Sequence, residues 1–182
     1  MNIRTVRADG VRRRTVLATI GAGCVGTLAG CLGDDSADVP DPVALDSGQV
    51  CDNCGMQIEN HPGPVGQSFY LDDPPDELPN DRPDGIAWFC SMYCTYTFNF
   101  AAEENGFEPA GSYATDYSAV EYDLQVDAGT TVISAHLGAG AFERLADLTL
   151  VVDSAVEGAM GGSLIGFSEA TDAESFADEH GG

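Results

Sequence analysis

The sequence predicts an α+β fold, and three observations predict it. Two short runs rich in β-branched and aromatic residues, 65–71 and 85–89, lead directly into a segment with helical spacing. The region from residue 111 onward holds further strand-like runs and closes on a second helical segment. Gly, Pro, Asn and Asp punctuate the runs. At 182 residues the chain is long enough to bury a real core, as one domain or two small ones.

The N-terminal region reads as a leader. Arg12-Arg13-Arg14-Thr15-Val16-Leu17 opens a small and apolar run that ends at Leu28. That run is short of the about 20 residues a spanning helix needs, and its layout is that of an export signal. Arg13-Arg14 followed by Val16-Leu17 resembles a twin-arginine signal. Leu28-Ala29-Gly30-Cys31 resembles a lipobox, which makes Cys31 the lipidated first residue of the mature protein. Residues 1–30 are then removed, Cys24 with them, and the body is anchored to the extracytoplasmic face of the membrane through the lipid on Cys31. Residues 31–49 hold Gly, Asp, Ser and Pro with few large apolar groups, and read as a flexible acidic tether that stands the body off the bilayer.

Residues 50–110 form the first predicted unit of the body. After a Cys-Gly-Met turn, 65–71 is a strand, 72–84 with four prolines and six acids is a surface loop, and 85–89 is a second strand. Ser91 is placed to cap a helix on which Tyr93, Tyr96, Thr97, Phe100 and Ala101 recur at helical spacing until Asn105-Gly106 ends it. The order is β-β-α. In residues 111–182, the second predicted unit, 117–126 and 130–137 alternate like strands joined at Asp127-Ala128-Gly129. A short helical piece at 141–145 precedes a buried strand at 148–152; 158–162 is a flexible Gly-rich turn, 164–167 a strand, and Ser168 the cap of a last helix with Ala170, Ala173, Phe176 and Ala177 on one face.

Charge narrows the function classes. The chain has no lysine, and beyond the leader only Arg82 and Arg144 stand against 29 Asp and Glu. Apolar content of 43% rules against disorder as the reason. The balance predicts a protein built for molar salt, where the Debye length of about 3 Å screens self-repulsion. Nucleic acid is excluded as a partner, because almost nothing is left to neutralise phosphates.

Chemistry concentrates in two runs. Cys51-Asp52-Asn53-Cys54-Gly55-Met56 continues to His61-Pro62-Gly63-Pro64, and Phe89-Cys90-Ser91-Met92-Tyr93-Cys94 supplies a second pair of thiols. Thiolate and thioether are soft donors that favour Cu(I), whereas four thiolates alone suit Zn(II) equally well. Met56 tips the balance to Cu(I), and Gly55 is the residue that lets the turn aim its flanking side chains at one point. Cys90 at a strand end and Cys94 in the first helical turn fall on one face, where the helix N-terminus is expected to lower a thiol pKa. Disulfides Cys51–Cys54 or Cys90–Cys94 are the alternative use of the same residues in an exported chain.

The first unit is similar to the small YHS and TRASH metal-binding modules, with one extra residue between its last two cysteines. The body from residue 50 to 182 resembles the NosL family, on Cys54-Gly55-Met56 with Ile58, His61-Pro62-Gly63-Pro64-Val65-Gly66-Gln67, Met160-Gly161-Gly162 with Leu164-Ile165-Gly166-Phe167, and Ala173 to Phe176 with the Glu179-His180-Gly181-Gly182 end. The resemblance implies two small similar ββαβ-type units packed together, related in fold to organomercurial lyases. It also implies a bound Cu(I), and delivery of that copper to nitrous oxide reductase and its copper-delivery machinery outside the cytoplasmic membrane. Carried onto this chain, the ligands are Cys54 and Met56 with His61 third; Cys51, Cys90 and Cys94 depart from the family pattern and extend the candidate set. A structural or sensory zinc module that leaves the methionines idle is the alternative function. A metal-dependent enzyme is a further one, although no Ser-His-Asp set or paired catalytic acids stand out.

Overall fold

The computed structural model describes residues 39–71 and 74–182; Arg13, Arg14 and Cys31, the signal and lipidation residues of the sequence reading, lie outside them. In chain order the elements are β1 (Gly66–Phe69), β2 (Ile86–Phe89), α1 (Met92–Glu104), β3 (Gly111–Thr115), β4 (Leu124–Asp127), β5 (Thr130–Ile133), β6 (Phe142–Arg144), β7 (Thr149–Val151), β8 (Val156–Gly158), β9 (Gly161–Gly162), β10 (Ile165–Phe167) and α2 (Ala170–His180). Three sheets result, ordered β2-β1-β3-β6, β10-β7 and β4-β5-β8-β9, and every pairing is antiparallel except β5 with β8. The fold is mixed α+β, and among the described residues no helix is long and apolar enough to cross a membrane.

The first sheet carries α1 on one face. Gly66 allows the approach, because a Cβ there would lie 2.3 Å from Thr95 Oγ1 on the helix. Phe69, Tyr70, Ile86, Phe89, Phe98 and Tyr113 fill the first core. Beneath the helix Tyr70 donates to Asn99 Oδ1 (2.9 Å), Asn99 Nδ2 to Ser112 Oγ (3.0 Å), and Ser112 pairs with Ser68 (2.8 Å), so the polar atoms buried there are satisfied. A second core gathers Tyr117, Ile133, Val151, Val156, Ile165, Phe167 and Phe176 under α2. Asp116 joins the two: it follows β3, bridges to Gly166, and its Oδ1 accepts from the N–H of Ser118 (2.9 Å) and of Ser168 (2.8 Å).

Several expectations change. The expected helical piece at 141–145 is interrupted: β6 occupies Phe142–Arg144 and pairs with β3, a strand the sequence reading passed over, and only short 3-10 turns, Ala139–Ala141 and Leu145–Asp147, flank it. Strand β3 starts the second predicted unit yet lies in the first sheet. The Gly-rich turn at 158–162 is a tight hairpin between β8 and β9, with Met160 exposed at its tip. Glu169, not Ser168, is the N-cap of α2, and it makes no side-chain cap bond. The aromatic stripe of α1 faces outward, with Tyr93 59% and Phe100 57% exposed; Met92, Cys94, Thr95, Phe98, Asn99 and Ala102 face inward. The tether holds to the body from Val39 on. Val43 exchanges two 3.0 Å hydrogen bonds with the side chain of the fully buried Gln67, Tyr113 Oη donates to Pro40 O, and Leu45 is buried.

Candidate metal centre

The loop carrying the first two thiols is closed by its own backbone. Cys51 N donates to Met56 O (2.8 Å), Gly55 N donates to Cys51 O (2.8 Å), and Val50 bridges Gln57. Gly55 has φ +76 with open space where its Cβ would be, so glycine is needed there for backbone conformation alone. Across from this loop β2 ends at Phe89, and Ser91 caps α1 by accepting from Cys94 N (3.1 Å). That single turn brings Cys90 and Cys94 together.

The two runs converge. The sulfurs of Cys51, Cys54, Cys90 and Cys94 all lie within 4.8 Å of one another, with Cys54–Cys90 at 3.5 Å and Cys90–Cys94 at 3.8 Å. Thiolates around a tetrahedral ion at the usual metal–sulfur distance sit about 3.8 Å apart, so the donor set fits a soft metal. All four are free thiols, not the disulfides of the alternative reading. Cys51, Cys90 and Cys94 are buried and Cys54 is exposed, giving the cluster a closed floor and one open corner.

Protons are divided unequally. The Cys90 thiol donates toward Cys51 and, with backbone N–H groups of Cys90, Cys54 and Asn53, outweighs burial and pulls the Cys51 pKa down to about 5. The same shared proton, with burial and the neighbouring charge, pushes Cys90 up. Burial raises Cys54. The depressed thiol is thus Cys51 in the loop; Cys90, beside the helix N-terminus where a lowered value was expected, moves the other way.

No histidine belongs to the four-thiol set. Met56 is half-buried against the first core. His61 is half-buried and outside the cluster; its loop is fixed by Gly63, whose N–H donates to Ile133 O (2.7 Å) and on which a Cβ would lie 2.5 Å from Gly158 Cα. That contact explains why a Gly-Pro run and a distant Gly-rich hairpin occur in one sequence. His136 pairs with Ser134 Oγ (3.1 Å), and His180 packs on Phe176. Sequence reasoning missed Asp52 and Arg82: Asp52 Oδ2 accepts from Trp88 N (2.7 Å) and meets the guanidinium of Arg82. Their only signal was a lone arginine in an acidic loop.

The NosL family model matches residues 42–182. The chain belongs to the NosL family. A curated relative, the copper-binding lipoprotein NosL of Stutzerimonas stutzeri, is 29% identical over 145 residues, which are 78% of this chain and 62% of that protein. The chain thus spans less than two thirds of that relative's length. Among solved structures, the crystal structure of the copper chaperone NosL from Shewanella denitrificans is similar with a TM-score of 0.60 and 25% identity, covering 79% of this chain and 91% of that one.

Proposed function

We propose that this NosL-family chain is a copper carrier, not an enzyme, that takes a cuprous ion as cargo in the four-cysteine cluster. The observation that carries the reading is the convergence of Cys51, Cys54, Cys90 and Cys94 with one member open to solvent. Soft thiolates hold Cu(I) strongly, and an exposed ligand is where a second protein's donor begins an exchange. Met56, two residues after Cys54 in the C-G-M turn, is the proposed additional soft donor, and His61 an outer one. The chain is exported through the Arg13-Arg14 signal and anchored by lipid on Cys31 at the extracytoplasmic face of the membrane. There it serves maturation of nitrous oxide reductase together with the copper-delivery machinery of that enzyme, in a saline medium. The antiparallel pairs β1/β2 and β7/β10, each followed at once by a helix, support a shared ββα order in the two units; a strand, β3, follows α1, whereas no strand follows α2.

A second reading is favoured by the number of thiols: four cysteines are the donor set of a closed structural zinc site. The two separate by metal competition. The reduced protein in molar salt is expected to draw Cu(I) from a chromophoric chelator, to release zinc when copper is added, and to lose copper binding in Cys54→Ala. Zinc alone in the purified protein, not displaced by cuprous ion, defeats the carrier reading.

A further inference from the structure

Arg82 and Arg144 are the only arginines beyond the leader, and Arg82 stands against the metal loop. It pairs with Asp52 in the only arginine–carboxylate ion pair among the described residues, and the two side chains are only 10% and 9% exposed. The guanidinium lies 3.9 Å from the centroid of the Trp88 ring and also donates to Ile86 O (3.1 Å). Asp52 in turn exchanges two bonds with Trp88: its N–H donates to Trp88 O (2.9 Å) and its Oδ2 accepts from Trp88 N (2.7 Å). Asp52 therefore takes the place of a strand partner at the edge of β2. It carries Cys51 and Cys54 on either side and sets them across from Cys90, two residues beyond Trp88.

Stability does not explain this pair. Apolar groups of equal volume are often as stabilising as a buried ion pair; what the pair adds is one defined geometry. A guanidinium suits that use, because it stacks on an indole while its fixed fork of donors reaches a carboxylate and a carbonyl together. Burial also keeps the pair from being screened in salt that cancels surface pairs.

We propose that Arg82 is a positioning residue for the cargo site. By holding the Asp52 carboxylate aimed at the Trp88 N–H, it fixes the Cys51–Cys54 loop opposite Cys90 and Cys94 and so sets how tightly the ion is held and how fast it leaves through Cys54. The inference rests on the reading of the cluster as a copper-carrying site.

The full chain with Arg82→Gln tests it by two readouts: Cu(I) affinity against a chromophoric chelator in molar salt, and the rate at which Cys54 of the metal-free, reduced protein reacts with a disulfide reagent. Affinity falls about tenfold, or about 1.4 kcal/mol, in the folded variant. Cys54 reacts several-fold faster, and Arg82→Lys restores part of both. A folded Arg82→Gln chain with affinity within about twofold of the parent overturns the proposal, even if its thiol is faster. If Arg82→Gln does not fold, Asp52→Asn, which keeps an acceptor for Trp88 N but loses the ion pair, is read by the same criteria. A parent that binds no cuprous ion defeats the carrier reading instead, and the thiol rate alone then decides whether Arg82 positions the loop.

Discussion

The sulfurs of Cys54 and Cys90 lie 3.5 Å apart although 36 residues separate them in the chain. Their proximity makes the cluster oxidisable across the loop-to-sheet contact as well as within each pair. One equivalent of a mild two-electron oxidant is expected to close a disulfide in the cluster, remove two titratable thiols and abolish Cu(I) binding, with full recovery on reduction. Peptide mapping identifies the pair, for which Cys54–Cys90 is expected. Copper affinity unchanged after oxidation would remove the cluster from the site.

The division of protons gives a pH dependence. The folded pKa of Cys51, about 5, lies below the ordinary thiol value of 9.0. Its contribution to folding is therefore complete above about 9 and is lost as pH falls through about 5. Cys90 has the opposite sign: its raised value favours folding while its proton is held, and that contribution is lost only as pH rises through the raised value. The metal-free protein is expected to show thiolate ultraviolet absorbance at neutral pH that disappears through about pH 5, and Cys51→Ser to remove it. A titration midpoint near the ordinary thiol value would contradict the assignment.

Asp116 is a buried carboxylate holding two backbone N–H groups from segments 50 residues apart, Ser118 and Ser168. Asp116→Ala leaves both donors without that partner and is expected to cost about 3 kcal/mol in denaturant unfolding. Copper affinity of the folded fraction is expected to stay close to the parent's, because Asp116 is not among the residues of the thiol cluster.

Gly63 adopts φ +100 and lies against Gly158. Gly63→Ala adds a methyl 2.5 Å from the Gly158 Cα on a backbone conformation that side chains disfavour. A loss of about 2 kcal/mol or more is expected, read as a shifted denaturation midpoint.

Local chemistry was legible in the sequence, and long-range geometry was not. The two cysteine pairs could be read because each is made by one turn of chain, the Gly55 turn and the Ser91 cap. Their convergence, like the contact of Asp52 with Trp88, joins segments far apart in the chain, which no periodicity reports. Which side of α1 is buried was not legible in the sequence, because the inner face carries Thr95 and Asn99, whose polar groups are satisfied by Ser91 O, Ser112 and Tyr70, while three aromatics stand on the outer side. Strand β3, Gly111-Ser112-Tyr113-Ala114-Thr115, has no apolar alternation: Gly111 lies against Val39 and Arg144, and Ser112 takes part in the network under α1.

Salt gives the last prediction. Beyond residue 30 there are 29 acids against two arginines, and of these arginines only Arg82 forms an ion pair among the described residues. The remaining acids repel over a Debye length of about 10 Å at 0.1 M salt and about 3 Å at 1 M. The body is therefore expected to keep its circular dichroism in molar salt and to unfold on dilution below a few tenths molar. Cu(I) should lower the salt concentration at which the body unfolds, because the ion ties the loop at 51–54 to the sheet and helix that carry Cys90 and Cys94 and binds only the folded chain tightly. The Arg82–Asp52 pair, being buried, is expected to persist until the body itself opens, so Trp88 fluorescence should change together with the far-ultraviolet signal rather than ahead of it. An unchanged spectrum on dilution would show that the acidic surface is carried without help from salt.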